Sequence, residues 1–122
     1  MLHVTTDTAH ALAILEPEGA LTDHDFQHAA QLIDPVIEKH GKLNGIIIRT
    51  RSFPGWDSFA ALMSHLRFVR EHHKHVGRIA LVTDSALGSF GESVASHFVS
   101  AEIKHYAYDD FQAAKNWVLF GE

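Results

Sequence analysis

"NGIIIRTR", residues 44–51, is a run of β-branched and basic residues with no polar alternation before Arg49. A strand with one wet face alternates apolar and polar side chains. A strand buried on both faces reads as a continuous apolar run, as the middle strands of parallel sheets do. The run therefore predicts a central parallel strand. Downstream, "RIALVTD", residues 78–84, reads as a second buried strand, and "EIKHYAY", residues 102–108, as a short final one.

Upstream, "MLHVTT" and "HALAILEPEG" predict two short strands joined by a turn around Asp7 and Thr8. Ala11, Ala13 and Leu15 alternate with Leu12 and Ile14, so the second strand is apolar on both faces and belongs between layers. Pro17 and Gly19 end it. "TDHDFQHAAQLIDPVIEKHG", residues 22–41, predicts a helix. Thr22 and Asp25 form a capping-box pattern, with Asp in place of Glu. Phe26, Ala29, Ala30, Ile33, Val36 and Ile37 fall on one stripe. Gly41 supplies the stop. Pro35 lies inside the pattern and is expected to kink the helix or divide it.

The remaining helices follow the strands. One runs from about Asp57 to His73. "ALGSFGESVASHFVS", residues 86–100, is a weaker helix, loosened by Gly88 and Gly91. "DDFQAAKNWVLF", residues 109–120, is a terminal helix, capped by Asp109 or Asp110 and burying Phe111, Ala114, Trp117 and Val118. The expected order is ββαβαβαβα, a single α/β domain over residues 1–122. Its sheet would be mixed, mostly parallel, opened by a hairpin and covered by helices. Ligands of such sheets sit at the carboxyl ends of the strands. Those ends are Arg49-Thr50-Arg51, Thr83-Asp84-Ser85 and Tyr106 to Tyr108.

Composition narrows the function. Of 122 residues, 46% are hydrophobic and 20% charged, which places the chain among globular proteins. The net charge of −5 argues against a nucleic-acid partner, which calls for a basic surface. Eleven histidines make that charge pH-sensitive. With no cysteine, disulfides, thiolate nucleophiles and cysteine zinc sites are excluded. "MLHVTTDTAH" has no signal-peptide pattern. No apolar run approaches the roughly 20 residues that span a bilayer. A bacterial-type cytoplasm is the expected location, and peripheral membrane contact stays open.

The stretch "RSFPGWDSFAALMSHLRFVREHHKH", residues 51–75, is the most distinctive part of the chain. Phe53 and Trp56 flank the turn pair Pro54-Gly55 at the carboxyl edge of the sheet, where such folds place function. Two large aromatics beside a glycine fit a lid over an apolar cavity, or an anchor at a membrane interface. They equally fit a staple that packs the helix onto the core. In the helix, Phe59, Leu62, Met63, Leu66 and Val69 span about 120° at about 100° per residue, an ordinary core-facing stripe. Phe68 falls almost opposite its centre, near Ala61 and Ser64.

Four arginines, Arg49, Arg51, Arg67 and Arg70, lie in or near this segment. A basic patch on an acidic protein suggests lipid headgroups, a fatty-acid carboxylate or phosphate. Surface ion pairs with Glu71, Asp57 and Asp84 are the plainer account. His72, His73 and His75 lack the one-face spacing of a metal site, since Gly77 ends the helix early. His65 and His72 share a face and could sense pH; surface placement is the plainer reading. No Gly-x-Ser-x-Gly elbow, dinucleotide fingerprint or P-loop is present, and "LGSFGES" lacks the third glycine and the lysine. No catalytic residue, metal or cofactor is expected.

The element order, "GIIIRTRSFPGWDSFAALMSHLRFVREHHKHVGRIALVTD" and the ending "EIKHYAYDDFQAAKNWV" together resemble the SpoIIAA-like proteins. That family has the STAS fold of anti-sigma-factor antagonists and is related in shape to CRAL-TRIO lipid-transfer domains. The resemblance implies a non-enzymatic binding module that carries a lipophilic ligand and meets membranes through a mobile helix. Phe53, Trp56, Phe59, Met63 and Phe68 are the apolar contacts it suggests, and Arg51 and Arg67 the headgroup contacts. Anti-sigma-factor antagonists carry Asp-Ser-Ser-Gly at the start of the corresponding helix; here the residues are Asp57-Ser58-Phe59-Ala60. Ser58 takes the phosphorylated position, without the second serine and the glycine, and helix capping is its plainer role. The alternative function is a regulatory protein-interaction module with Ser58 as a phospho-switch. Expected partners are a lipophilic small molecule or lipid, with a membrane surface, a protein and a second copy in a homodimer also open, and no nucleic acid.

Overall fold

The computed structural model describes residues 1–52, 64, 67, 68, 70–84 and 102–121, and of His73 the backbone alone. Its elements are β1 (Leu2–Asp7), β2 (Leu12–Pro17), α1 (Asp23–His40), β3 (Leu43–Arg49), β4 (Val76–Val82), β5 (Glu102–Tyr106) and α2 (Phe111–Phe120). Ser64, Arg67, Phe68 and residues 70–72 are helical, and a 3₁₀ turn, His73–His75, leads into β4. The helix expected over residues 86–100 lies outside the described residues.

The described strands form one sheet in the order β1-β2-β3-β4-β5. The opening hairpin is antiparallel, with Val4 opposite Leu15. Every later pairing is parallel, with Ile14 opposite Ile47, Ile47 opposite Ala80 and Ala80 opposite Lys104. The fold is thus the expected mixed, mostly parallel α/β sheet, and its continuous apolar strands are buried on both sides.

Alternation along the strands sends neighbouring side chains to opposite layers. Ala13, Leu15, Ile46, Ile79 and Leu81 face α1 and pack with Phe26, Ala29, Ile33 and Val36. Leu12, Ile47, Ala80 and Val82 face α2 and pack with Ala114 and Val118. Gly45 marks how closely α2 lies on the sheet. A Cβ there would come within 2.1 Å of the Val118 side chain and 2.7 Å of the Arg78 carbonyl oxygen.

Local signals in α1 behave as their chemistry demands. The Thr22 hydroxyl accepts from the Asp25 N–H, and the Asp25 carboxylate accepts from the Thr22 N–H, completing the capping box. Gly41 ends the helix at φ 78°, a left-handed conformation that glycine adopts without a Cβ penalty. Pro35, however, does not divide the helix, which runs on to His40. Pro35 and Gln31, whose carbonyl loses its intrahelical donor, are both exposed, so water can take the missing bond.

Three further expectations are corrected. Asp110 is the N-cap of α2, but its side chain makes no capping bond, because its backbone (φ −94°, ψ 31°) is outside the extended region that aims such a cap. Phe111 and Trp117 are half-buried, and only Ala114 and Val118 of that stripe are buried. Phe68 does not face solvent opposite the core. It is buried in the α1-side core, 6.3 Å from the Phe26 ring and stacked on His72 at 4.2 Å. Ser64, Phe68 and His72, four residues apart, form a flank that α1 covers: the Ser64 hydroxyl donates to Asp23, and His72 reaches Asp34. One-stripe arithmetic assigns everything off the stripe to water, and a neighbouring helix overrules it.

Candidate functional site at the carboxyl edge of the sheet

Because β3, β4 and β5 are parallel, their carboxyl ends meet at one edge, with Arg49 beside Val82 and Val82 beside Tyr106. The ladder extends one residue past each strand. The Thr50 N–H donates to the Val82 carbonyl at 3.0 Å, and the Thr83 N–H to Tyr106 at 2.9 Å.

Two buried threonines hold the chain where it leaves the sheet. The Thr50 hydroxyl donates to the Ser52 carbonyl at 3.0 Å, and the Thr83 hydroxyl to the Arg51 carbonyl at 3.2 Å. The His105 Nε2–H meets the Thr83 carbonyl at 2.7 Å. These bonds satisfy backbone groups that would otherwise be stranded at a buried strand end.

Asp84 then ties the edge together. One carboxylate oxygen accepts the Tyr108 N–H at 3.0 Å; the other lies 3.9 Å from the Arg51 guanidinium. Arg49 and Arg51 are two residues apart and share the α2 side of the sheet. Both guanidiniums sit over the Tyr108 ring, each 4.4 Å from its centroid. Arg49 also lies 5.0 Å from the Phe111 ring, at the first residue of α2. Its Nε is buried and has no acceptor among the described residues. Among the described residues, Arg49, Arg51, Tyr108, Phe111 and Asp84 thus bring two cations, a phenol, a half-buried phenyl ring and a carboxylate together. That set can hold an anionic or amphipathic group. No nucleophile–base pair joins it among the described residues.

The SpoIIAA-like family model matches residues 12–119. This chain belongs to the SpoIIAA-like family. Its fold is also similar to the crystal structure of a DUF3478-family protein with a SpoIIAA-like fold from Shewanella loihica PV-4. The TM-score is 0.71 at 20% identity, over 97% of this chain and 92% of that one. No curated protein matches.

Of the site residues expected for this SpoIIAA-like chain, the structure places three. Arg51 stands at the carboxyl edge with its side chain 70% exposed. Arg67 is helical and exposed, and Phe68 is core. Phe53, Trp56, Ser58, Phe59 and Met63 lie outside the described residues. Tyr108 and Phe111 were not among the expected contacts. Their signal was present in part, since Tyr108 ends a carboxyl-edge segment, but their approach to Arg49 follows from the pairing of three strands.

The histidine cluster divides. His72 is buried with both ring nitrogens engaged, by the Phe68 carbonyl at 2.7 Å and the Asp34 carboxylate at 2.6 Å, not placed at the surface. His75 is exposed and lines a cleft of about 250 Å³ with Asp34, Ile37, Glu38, Glu71 and His72. Among the described residues no group of three or more His, Asp or Glu is arranged to hold a metal ion. Nor is any described helix long and apolar enough to cross a membrane.

Proposed function

We propose that this SpoIIAA-like chain is a non-enzymatic, cytoplasmic binding module that takes up a lipophilic or amphipathic small ligand at the carboxyl edge of its sheet. The observation that carries this reading is Arg51 and Tyr108, pinned together by Asp84 where the chain leaves β3. A stacked guanidinium beside aromatic surface offers polar and apolar contact at once. The segment after Arg51, with Phe53, Trp56, Phe59 and Met63, supplies the apolar side of the proposal and its contact with a membrane surface; Arg67 is its further headgroup contact.

Native mass spectrometry of protein purified from cells, followed by lipid extraction, tests the reading. A bound lipophilic molecule, lost with Trp56→Ala and weakened with Arg51→Ala, supports it. Protein that is empty and binds neither liposomes nor fatty acids overturns it. A co-purifying protein lost on Ser58→Asp and indifferent to Trp56→Ala favours the regulatory module instead.

A further inference from the structure

Arg49 occupies an unusual place for a cation. On β3, Gly45, Ile47 and Arg49 point to the α2 side, so Arg49 continues a row that is otherwise packed against the core. An aliphatic side chain would suit that position on packing grounds alone. The chain instead puts a guanidinium there, half-buried, between the rings of Tyr108 and Phe111.

Stacking satisfies only part of such a group. Aromatic rings cover the faces of a guanidinium, while its five N–H donors lie in its plane and need acceptors. Among the described residues Arg49 has no carboxylate partner, and its Nε is buried without an acceptor. Asp84 already accepts the Tyr108 N–H and faces Arg51. Among the described residues, then, Asp84 serves Arg51 and not Arg49. The start of α2 lies beside it: Phe111 is the first residue, and the Asp110 side chain makes no capping bond to the N–H groups of the first turn.

We infer that Arg49 is the anion-recognising residue of this edge, and that the ligand taken there bears a carboxylate or phosphate head in the plane of the Arg49 guanidinium. The inference rests on the proposed ligand-binding function, and it adds that the ligand is acidic. Tyr108 and Phe111 hold the plane in position, so the terminal nitrogens are oriented before the ligand arrives, and little side-chain entropy remains to be lost. Charge-assisted, paired N–H contacts then favour an acid over an alcohol of the same chain.

The test uses the full chain and its Arg49→Met variant, which keeps an unbranched apolar stem. Dodecanoate, dodecanol and inorganic phosphate are titrated separately, followed by amide shifts of residues 108–113. Wild type is expected to bind dodecanoate at least about tenfold more tightly than dodecanol, a preference the variant loses while retaining dodecanol. Arg49→Lys, which keeps the charge but not the planar fork, is expected to retain part of the preference. It serves as the second variant if Arg49→Met does not fold. Equal dodecanoate affinity in wild type and variants overturns the inference and leaves the binding function standing.

If neither dodecyl compound binds wild type, the binding function fails. The phosphate arm then decides the anion site by itself. Shifts at residues 108–113 that vanish in the variant support a receptor for a free anion. No phosphate response in either protein overturns it.

Discussion

His72 and Asp34 join two helices across 2.6 Å, and the second nitrogen of the same ring reaches the Phe68 carbonyl at 2.7 Å. His72 is also stacked on Phe68 and almost fully buried, whereas the Asp34 side chain is 54% exposed. The ring is thus the inner half of a contact whose carboxylate remains in water. His72→Ala removes the stack and both bonds and is expected to cost about 2 kcal/mol. His72→Phe keeps the stack and should cost about half of that. Urea unfolding of the three proteins checks the order, and a wild-type midpoint for His72→Ala would refute it.

Phe68 is the sharper test of which flank of its helix is buried. Large-to-small changes in a close-packed core cost about 3–5 kcal/mol for phenylalanine. Phe68→Ala should fall in that range, while Arg67→Ala, one residue away and exposed, should stay within about 0.5 kcal/mol of wild type. Thermal melts of both variants decide. Comparable, small effects would return Phe68 to the surface.

Gly45→Ala addresses the seat of α2. The added methyl group meets the Val118 side chain and, less forgivingly, the Arg78 carbonyl oxygen on the adjacent strand. A side chain can turn away, but a paired strand backbone cannot do so without breaking its ladder. The expected loss is about 1–3 kcal/mol, as for other overpacked cores. Combining it with Val118→Ala should recover part of the loss, because one of the two clashes is removed. A double variant less stable than the sum of the two single changes would contradict this packing.

Acid unfolding should pass through Asp25. Burial raises its carboxyl, but the Thr22 N–H and hydroxyl and the Leu2 N–H outweigh burial and hold it below the ordinary 3.8. A carboxyl depressed in the folded state stabilises the fold above its unfolded value. That contribution disappears as pH falls through the folded value. Asp25→Asn is therefore expected to cost about 1 kcal/mol at neutral pH, the usual scale of a lost cap. Wild type and variant should converge as pH drops below 3.8. Chemical denaturation from pH 7 to pH 2 measures the gap, and a gap independent of pH would show that Asp25 carries none of the acid sensitivity.

Much of the fold is legible one element at a time. Thr22 and Asp25 start α1, Gly41 ends it, and both act within a few residues of themselves, so local chemistry suffices. The continuous apolar runs of β3 and β4 announce strands covered on both sides, and the structure supplies α1 and α2 as the covers. Of the two outcomes expected of Pro35, a kink or a division, the structure excludes the division. The proline's steric penalty is real, but its consequence depends on whether water can reach the orphaned carbonyl, and exposure is a tertiary property.

The candidate site was legible only as a place. Parallel strands in sequence order put Arg49, Arg51, Asp84 and Tyr108 at one edge, and the sequence by itself determined that much about the protein, together with its α/β class. Which groups touch was decided by the tertiary structure. The register that sets Arg49 beside Val82 and Val82 beside Tyr106 brings a guanidinium from residue 49 onto a ring at residue 108. The placement of α1 turns Phe68 and His72 from a supposed surface into core. The physical reason is the same in both cases. Periodicity fixes the direction of a side chain relative to its own element, whereas burial, charge pairing and stacking depend on what another element, distant in the chain, places opposite it.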